Sequence, residues 1–176
     1  MATVLLDDLI FTNYGQFDLV WAEHGGFDGD SDGFFRGQDN GLVGAGDPRG
    51  VYLHLARWSG GSRVRITLLE SAPPLPPAEY EDVVEVSTTV LPGREARWQS
   101  WAGETGGTLA GLEPGDYRLR VSAQGRDAGH SGEAADGVAV DEYIVEIWPA
   151  EPRPDEILRV GSEDARYFHG EWGGRR

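Results

Sequence analysis

Short apolar runs recur along this chain, and glycine- or proline-rich turns separate them. In the cleanest runs apolar and polar residues alternate one by one. Val64, Ile66 and Leu68 alternate with Arg63, Arg65 and Thr67, and Tyr117, Leu119 and Val121 alternate with Arg118, Arg120 and Ser122. A period of two is that of a half-buried strand, with one face apolar and one wet. The pattern predicts strands over residues 4–12, 17–23, 42–45, 51–58, 63–69, 80–90, 96–101, 108–112, 117–123 and 142–148. The run 51–58 meets 63–69 through Ser59-Gly60-Gly61-Ser62, which reads as a hairpin. The run 142–148 is nearly all apolar, which places it centrally. Strands of this number and spacing predict an all-β fold, a two-sheet β-sandwich.

The rest of the chain completes this outline. Residues 72–77 carry four prolines and read as a stiff crossover between the two sheets. Residues 124–137 read as a long polar loop. Asp155 suits a helix N-cap for residues 155–160, and Ser162, Glu163 and Asp164 suit a helical start over 162–168. A short C-terminal helical segment is therefore expected, with a frayed tail from Gly170. The expected organisation is a single domain over residues 1–176, with a core at about 3–149 and a C-terminal extension over 150–176.

Charge changes the picture most. Thirty acidic residues face fifteen basic ones, every basic residue is arginine, and the formal net charge is −15. Such a surface repels phosphate backbones and anionic membranes and attracts basic proteins and divalent cations. Direct nucleic-acid binding and membrane binding are expected to be absent. Cysteine is absent too, which excludes a disulfide framework and a thiolate zinc site and fits a reducing compartment. Residues 1–8 lack the charged and apolar regions of a signal peptide. No apolar run approaches the roughly 18 residues of a membrane span. The expected location is cytoplasmic. Abundant Gly, Ala and Arg without Lys point to a GC-rich bacterial source.

The order of landmarks resembles a known family. Tyr14-Gly-Gln-Phe17 sits near the N-terminus, and Tyr80-Glu-Asp-Val-Val-Glu-Val-Ser87 opens the second half. Leu112-Glu-Pro-Gly-Asp-Tyr117 precedes a strand, and Asp141-Glu-Tyr-Ile-Val-Glu-Ile147 closes the sheet. Over roughly residues 5–148 this resembles the competence protein J (ComJ) family, whose founding type inhibits a DNA-entry nuclease. The chain departs from it in a longer loop at 24–40 and in the extension from Trp148 onward. The resemblance implies a small acidic β-protein that binds and blocks a nuclease or toxin-like enzyme. The charge is compatible with this, since nucleic-acid enzymes present basic clefts.

Local motifs offer a binding site and a rival reading. Asp28, Asp30 and Asp32 have the alternate spacing of a calcium loop, Gly33 follows, and Asp39 falls at the twelfth position. The flanks read as strand and loop rather than helices. Calcium- or carbohydrate-binding by a β-sandwich module is the alternative function, and no other cofactor is expected. The same loop, with Asp28, Asp30 and Asp32 as an acidic rim and Phe34 and Phe35 as apolar anchors, reads as an inhibitory finger. A core role for two of Phe27, Phe34 and Phe35 is an equal reading. Trp101 lies three residues after Trp98 and is a further candidate contact for a partner, or both tryptophans are covered. His24, His54, His130 and His169 lack ligand spacing. Carboxylates such as Glu81 and Glu85 share a strand face, as any β-sandwich allows by chance. No nucleophile elbow, phosphate-binding loop or dinucleotide fingerprint occurs. The chain is expected to be a non-enzymatic acidic protein that binds a basic protein.

Overall fold

The structure, a computed structural model, describes residues 1–132 and 138–174. Its strands form two sheets. The six-stranded sheet runs, in spatial order, β1 (Thr3–Asn13), β5 (Ser59–Leu68), β10 (Glu142–Pro149), β9 (Gly115–Gln124), β6 (Asp82–Val90) and β11 (Glu156–Arg159). The five-stranded sheet runs β3 (Val43–Gly44), β4 (Gly50–His54), β2 (Gln16–Val20), β7 (Arg97–Ser100) and β8 (Gly106–Thr108). Neighbours are antiparallel except β5 and β10, which run parallel. The two sheets share one apolar core. Phe17, Leu19, Val51 and Leu53 meet Val64, Ile66, Val84, Val86, Leu119, Val121, Val145 and Ile147 across it. This is the expected β-sandwich, and β10 is central in its sheet.

The alternation read from the sequence sets the faces. Along β5, Val64 and Ile66 are buried while Arg63 and Arg65 are exposed. Along β9 the second face is not wet as expected, because Arg118 and Arg120 are buried as well. The proline-rich segment lies over them. Arg120 Nη1 donates to the carbonyls of Pro73 and Pro74, at 3.1 and 2.7 Å. Arg118 Nη1 donates to those of Arg153 and Pro154, at 3.2 and 2.9 Å. An extended proline-rich chain makes no hydrogen bonds to itself, so its carbonyls need outside donors. Residues 72–77 therefore join β5 and β6 of one sheet across its outer face. They do not cross between sheets.

The crossings between sheets lie elsewhere, and they correct the hairpin reading. β4 belongs to one sheet and β5 to the other, so residues 55–58 carry the chain across. Beside them Tyr14 and Gly15, both with positive φ (58° and 62°), carry β1 into β2. Leu55 N donates to Gly15 O at 2.8 Å and ties the two crossings together. A Cβ on Gly15 would lie 2.2 Å from the Leu55 carbonyl oxygen, so this corner requires glycine.

The C-terminal region also differs from expectation. Residues 156–159 form strand β11, not a helix, because they complete the open edge of β6 (Ile157 beside Val84). A one-turn helix has no comparable source of stability. Asp155 accepts instead from Asp39 N, Asn40 N and Asn40 Nδ2. The stretch expected to be loop holds a short helix, α2 (Arg126–Ser131); its residues 133–137 lie outside the described ones. A four-residue helix, α1 (Ser31–Phe34), sits in the 24–40 loop. The last helix, α3 (Glu163–Trp172), begins where expected, with Ser162 Oγ accepting from Ala165 N at 3.0 Å. It continues through the segment expected to fray, because Trp172 packs against Phe35, Tyr52 and His54.

Candidate protein-interaction groove

The outer face of the β2–β4 sheet carries a second, smaller core. Phe27 stacks on Tyr52 with ring centres 4.0 Å apart, and Phe34 and Phe35 meet Tyr52 edge-on at 6.2 and 6.1 Å. Phe34 is 1% exposed and Phe35 0%. The anchor reading of these two residues is therefore corrected. Folding the loop onto Tyr52 removes both rings from water, which outweighs leaving them free for a partner. Below, the buried Asp18 carboxylate accepts from Phe27 N (3.1 Å) and Gln16 Nε2 (2.7 Å) and fixes the loop's path. Burial holds the Asp18 carboxyl above its ordinary range, against these donors.

The aspartates of this loop do not converge. Asp30 Oδ1 accepts from Gly33 N at 3.0 Å and caps α1. Asp28 accepts from Asp30 N and lies 3.9 Å from the Arg49 guanidinium. Asp32 stands in the first turn of α1. The Asp39 backbone N–H donates to the Asp155 carboxylate. Among the described residues no three His, Asp or Glu side chains are placed to hold a metal ion. Asp28, Asp30, Asp32 and Asp39, the expected calcium ligands, do not form a shared cage here: the loop folds as a capped helical turn.

A concavity opens at the corner where the chain crosses between sheets. It has a volume of about 1080 Å³ and lies between that corner and helices α2 and α3. Its floor is aromatic, formed by Phe27, Tyr52 and His54, with Phe168 and Trp172 from α3. His54 lies 4.0 Å from Phe168 and 4.9 Å from Trp172, centre to centre. Its rim holds exposed aromatics: Trp58 is 66% exposed, Tyr167 59% and Tyr14 49%. The Tyr14 and Trp58 rings meet edge-to-face at 4.7 Å. Asp127, Glu163 and Glu171 also line the concavity.

A buried cation holds the groove's wall together. Arg126 Nε and Nη2 lie 2.8 and 2.6 Å from Asp164 Oδ2, and Nη1 donates to His54 O at 2.8 Å. Its guanidinium lies over the Tyr143 ring at 5.7 Å. Nη2 also sits 3.3 Å from His54 Nδ1. Arginine has only donors, so Nδ1 accepts and the proton of the neutral ring is on Nε2. Burial first, and then the Arg126 charge, hold His54 well below the ordinary histidine range. Asp127 accepts from Glu163 N and Asp164 N, at 3.1 and 2.9 Å, which seats α3 against α2. On the outer side His130 Nδ1 lies 2.9 Å from Asp164 Oδ1.

A shallower cleft of about 620 Å³ adjoins this groove at Tyr14. The structure brings two expected contact residues together there, Asp28 and the half-buried Trp101. Trp101 packs beside Tyr14 at 5.3 Å, while Trp98 stacks on Phe17. Asp30 and Asp32 do not line the cleft. Tyr14, His24 and Ala102, the non-glycine residues with positive φ among those described, all do.

Comparisons with known proteins bear on the fold. No protein-family model matches the chain, and no curated protein sequence does. Two solved structures resemble it. One is ComJ from Bacillus subtilis, an inhibitor of the DNA-degrading activity of NucA, at TM-score 0.55 and 16% identity over 85% of this chain and 99% of that one. The other is the product of crocagin biosynthetic gene J, at TM-score 0.50 and 16% identity over 86% and 99%. This chain has a ComJ-like fold.

Within that ComJ-like fold, the expected contact residues Asp28 and Trp101 both line the smaller cleft, and the sequence reading did not point to the larger groove. Its floor comes from distant segments, and a pairing such as His54 with Phe168 leaves no local signal. One signal was present. Tyr167, Phe168 and Trp172 recur at helical spacing beyond the Ser162 cap and mark an aromatic helix face.

Proposed function

We propose that this chain is a non-enzymatic acidic protein that binds and inhibits a basic nuclease or toxin-like enzyme. The observation that carries the reading is the ComJ-like fold on a chain of net charge −15. ComJ inhibits a DNA-degrading activity, and an acidic surface complements the clefts in which nucleases hold phosphates. Charge burial leaves this surface acidic. Among the described residues four arginines and five carboxylates are buried, so the excess of negative charge stays outside.

The groove's ionisable groups support a binding role over a catalytic one. Asp127 caps α3, Asp164 is bonded to Arg126, and His54 is kept neutral by burial beside that arginine. None is poised as acid and base across a shared substrate position. The groove and the adjoining cleft at Asp28 and Trp101 are the contact surface of this reading.

The test is inhibition of a basic nuclease encoded beside this gene, with plasmid DNA as substrate. Stoichiometric inhibition that persists in excess magnesium is expected. The association rate should fall steeply with salt, and the dissociation rate much less. Absence of inhibition, or inhibition removed by added magnesium, rejects the proposal.

A further inference from the structure

We infer that the second half of α3, from Phe168 to Trp172, is an acid-released latch: it leaves its seat on the sheet when His54 and His169 take up a proton. Both histidines sit in that seat. The His54 ring lies against Phe168 and Trp172. His169 stands on α3 itself, and its Nδ1 accepts from Gly41 N at 3.0 Å. His54 Nδ1 faces Arg126 Nη2 at 3.3 Å. A backbone N–H and a guanidinium can only donate, so Nδ1 stays unprotonated at both sites. A proton there sets donor against donor at His169, and cation against cation as well at His54. The other side of His169 offers a charged ring no relief. Its Nε2 is buried without a hydrogen-bond partner among the described residues.

The two halves of α3 are tied differently. At the first, Ser162 Oγ donates to Asp82 Oδ2 at 2.5 Å, Asp127 accepts from Glu163 N and Asp164 N, and Asp164 pairs with Arg126. His130, 2.9 Å from Asp164, belongs to this end. The second half holds through the Gly41–His169 bond, through Gly174 N donating to Gln38 O at 2.8 Å, and through its ring contacts. α3 belongs to neither sheet, so this half can leave without breaking a strand ladder. Burial first, then Arg126 and His130, hold His54 well below the ordinary histidine range. Burial first, then Arg126, hold His169 below it, against the opposite pull of Asp82 and Asp155. Asp127, Glu163, Asp164 and Glu171 line the groove with His54 and do not reverse this. The docked form thus refuses protons that an open form accepts near pH 6.5. The latch is closed above that pH, and each refused proton favours opening by up to about tenfold per pH unit below it. Phe168 and Trp172 supply part of the groove floor, so release dismantles the groove while the sandwich stands.

The experiment is amide hydrogen exchange on the full chain, followed by NMR between about pH 7 and pH 5.5 and corrected for the intrinsic effect of pH on exchange. It needs no partner, and the latch stands whether or not the chain inhibits a nuclease. Amides 168–174 should open more often than those of β10 at every pH. Dilute urea should leave that opening unchanged, because it exposes little surface. The opening constant of 168–174 should rise at least about tenfold from pH 7 to 5.5. His169→Gln keeps an acceptor for Gly41 N but cannot titrate, and His54→Gln does the same toward Arg126. Each single variant should lose part of the rise, and the double variant nearly all of it. The histidine ring signals of the parent chain give a reading free of any variant: His54 and His169 should protonate only as 168–174 open. Exchange of 168–174 only together with β10, a rise that persists in the variants, or either ring protonating while 168–174 stay protected overturns the latch.

Discussion

Arg118 and Glu85 face one another on adjacent strands of the six-stranded sheet, with Nε 3.0 Å from Oε2 and both side chains buried. Glu85 also takes Arg120 at Oε1 and Arg153 at Oε2, 2.8 and 2.9 Å away. One carboxylate thus gathers three arginines, and two of them hold the proline-rich segments to the sheet through backbone carbonyls. Glu85→Ala is expected to lose about 3–5 kcal/mol in urea unfolding, because buried cations are left uncompensated. Burial pushes the Glu85 carboxyl up, but its bonds to Arg118 and Arg120 prevail and its pKa lies below the ordinary value. The stability it contributes is thus present above roughly pH 4.3 and lost as pH falls through its folded pKa. A loss near 0.5 kcal/mol, typical of a surface pair, refutes this account.

Phe34 and Phe35 belong to the small outer core. Truncating either to alanine should cost about 3–5 kcal/mol of stability, by lost burial and an unfilled cavity. Thermal and urea unfolding check this without any partner. Unchanged stability together with weakened partner binding would restore the anchor reading.

His54 gives the fold an acid sensitivity above the carboxylate range. Its folded pKa is depressed, first by burial and then by Arg126, so the unfolded chain takes up a proton near pH 6.5 that the fold refuses. Stability should decline as pH falls below about 6.5. His169, also depressed by burial, adds to this slope, whereas Asp18 and Asp141, raised by burial, oppose it at lower pH. The difference in unfolding free energy between the parent chain and His54→Gln, followed from pH 8 to 5, isolates the His54 share. A pH-independent difference contradicts it.

Gly41 sets how closely α3 docks. A Cβ there would lie only 1.9 Å from the Phe168 carbonyl oxygen. Gly41→Ala should push the helix off its seat and lower the melting temperature. It should also raise solvent access to Trp172, read by fluorescence quenching. Gly37→Ala is a useful comparison, since that position has open space but positive φ. It should cost only about 1 kcal/mol. Equal effects would place the cost of Gly41→Ala in backbone conformation rather than in contact with α3.

Calcium should neither raise the melting temperature nor change the spectrum, and chelator should do nothing. A metal that bound the fold alone would stabilise it measurably at concentrations above its dissociation constant. A stabilisation lost on replacing Asp28, Asp30 and Asp32 by alanine would reinstate the calcium loop.

The sequence by itself determined the class of fold, because strand alternation is a local property of which face meets water. Val64, Ile66, Leu119 and Val121 had to point into a core wherever that core lay. It also determined the Ser162 cap of α3 and the acidity of the surface. The tertiary structure decided what those local patterns could not express. Whether β4 and β5 pair or part depends on Tyr14 and Gly15, some forty residues earlier, which turn the chain at the same corner. Arg118 and Arg120 look like a wet face until proline-rich segments with unsatisfied carbonyls lie across them. Phe34 and Phe35 look like anchors until Tyr52 offers them a dry surface. The groove is of this second kind, for its floor joins residues 27, 52, 54, 168 and 172. Local sequence fixes how each residue is presented, but burial free energy accrues only between surfaces that meet, and that meeting is set by the whole chain.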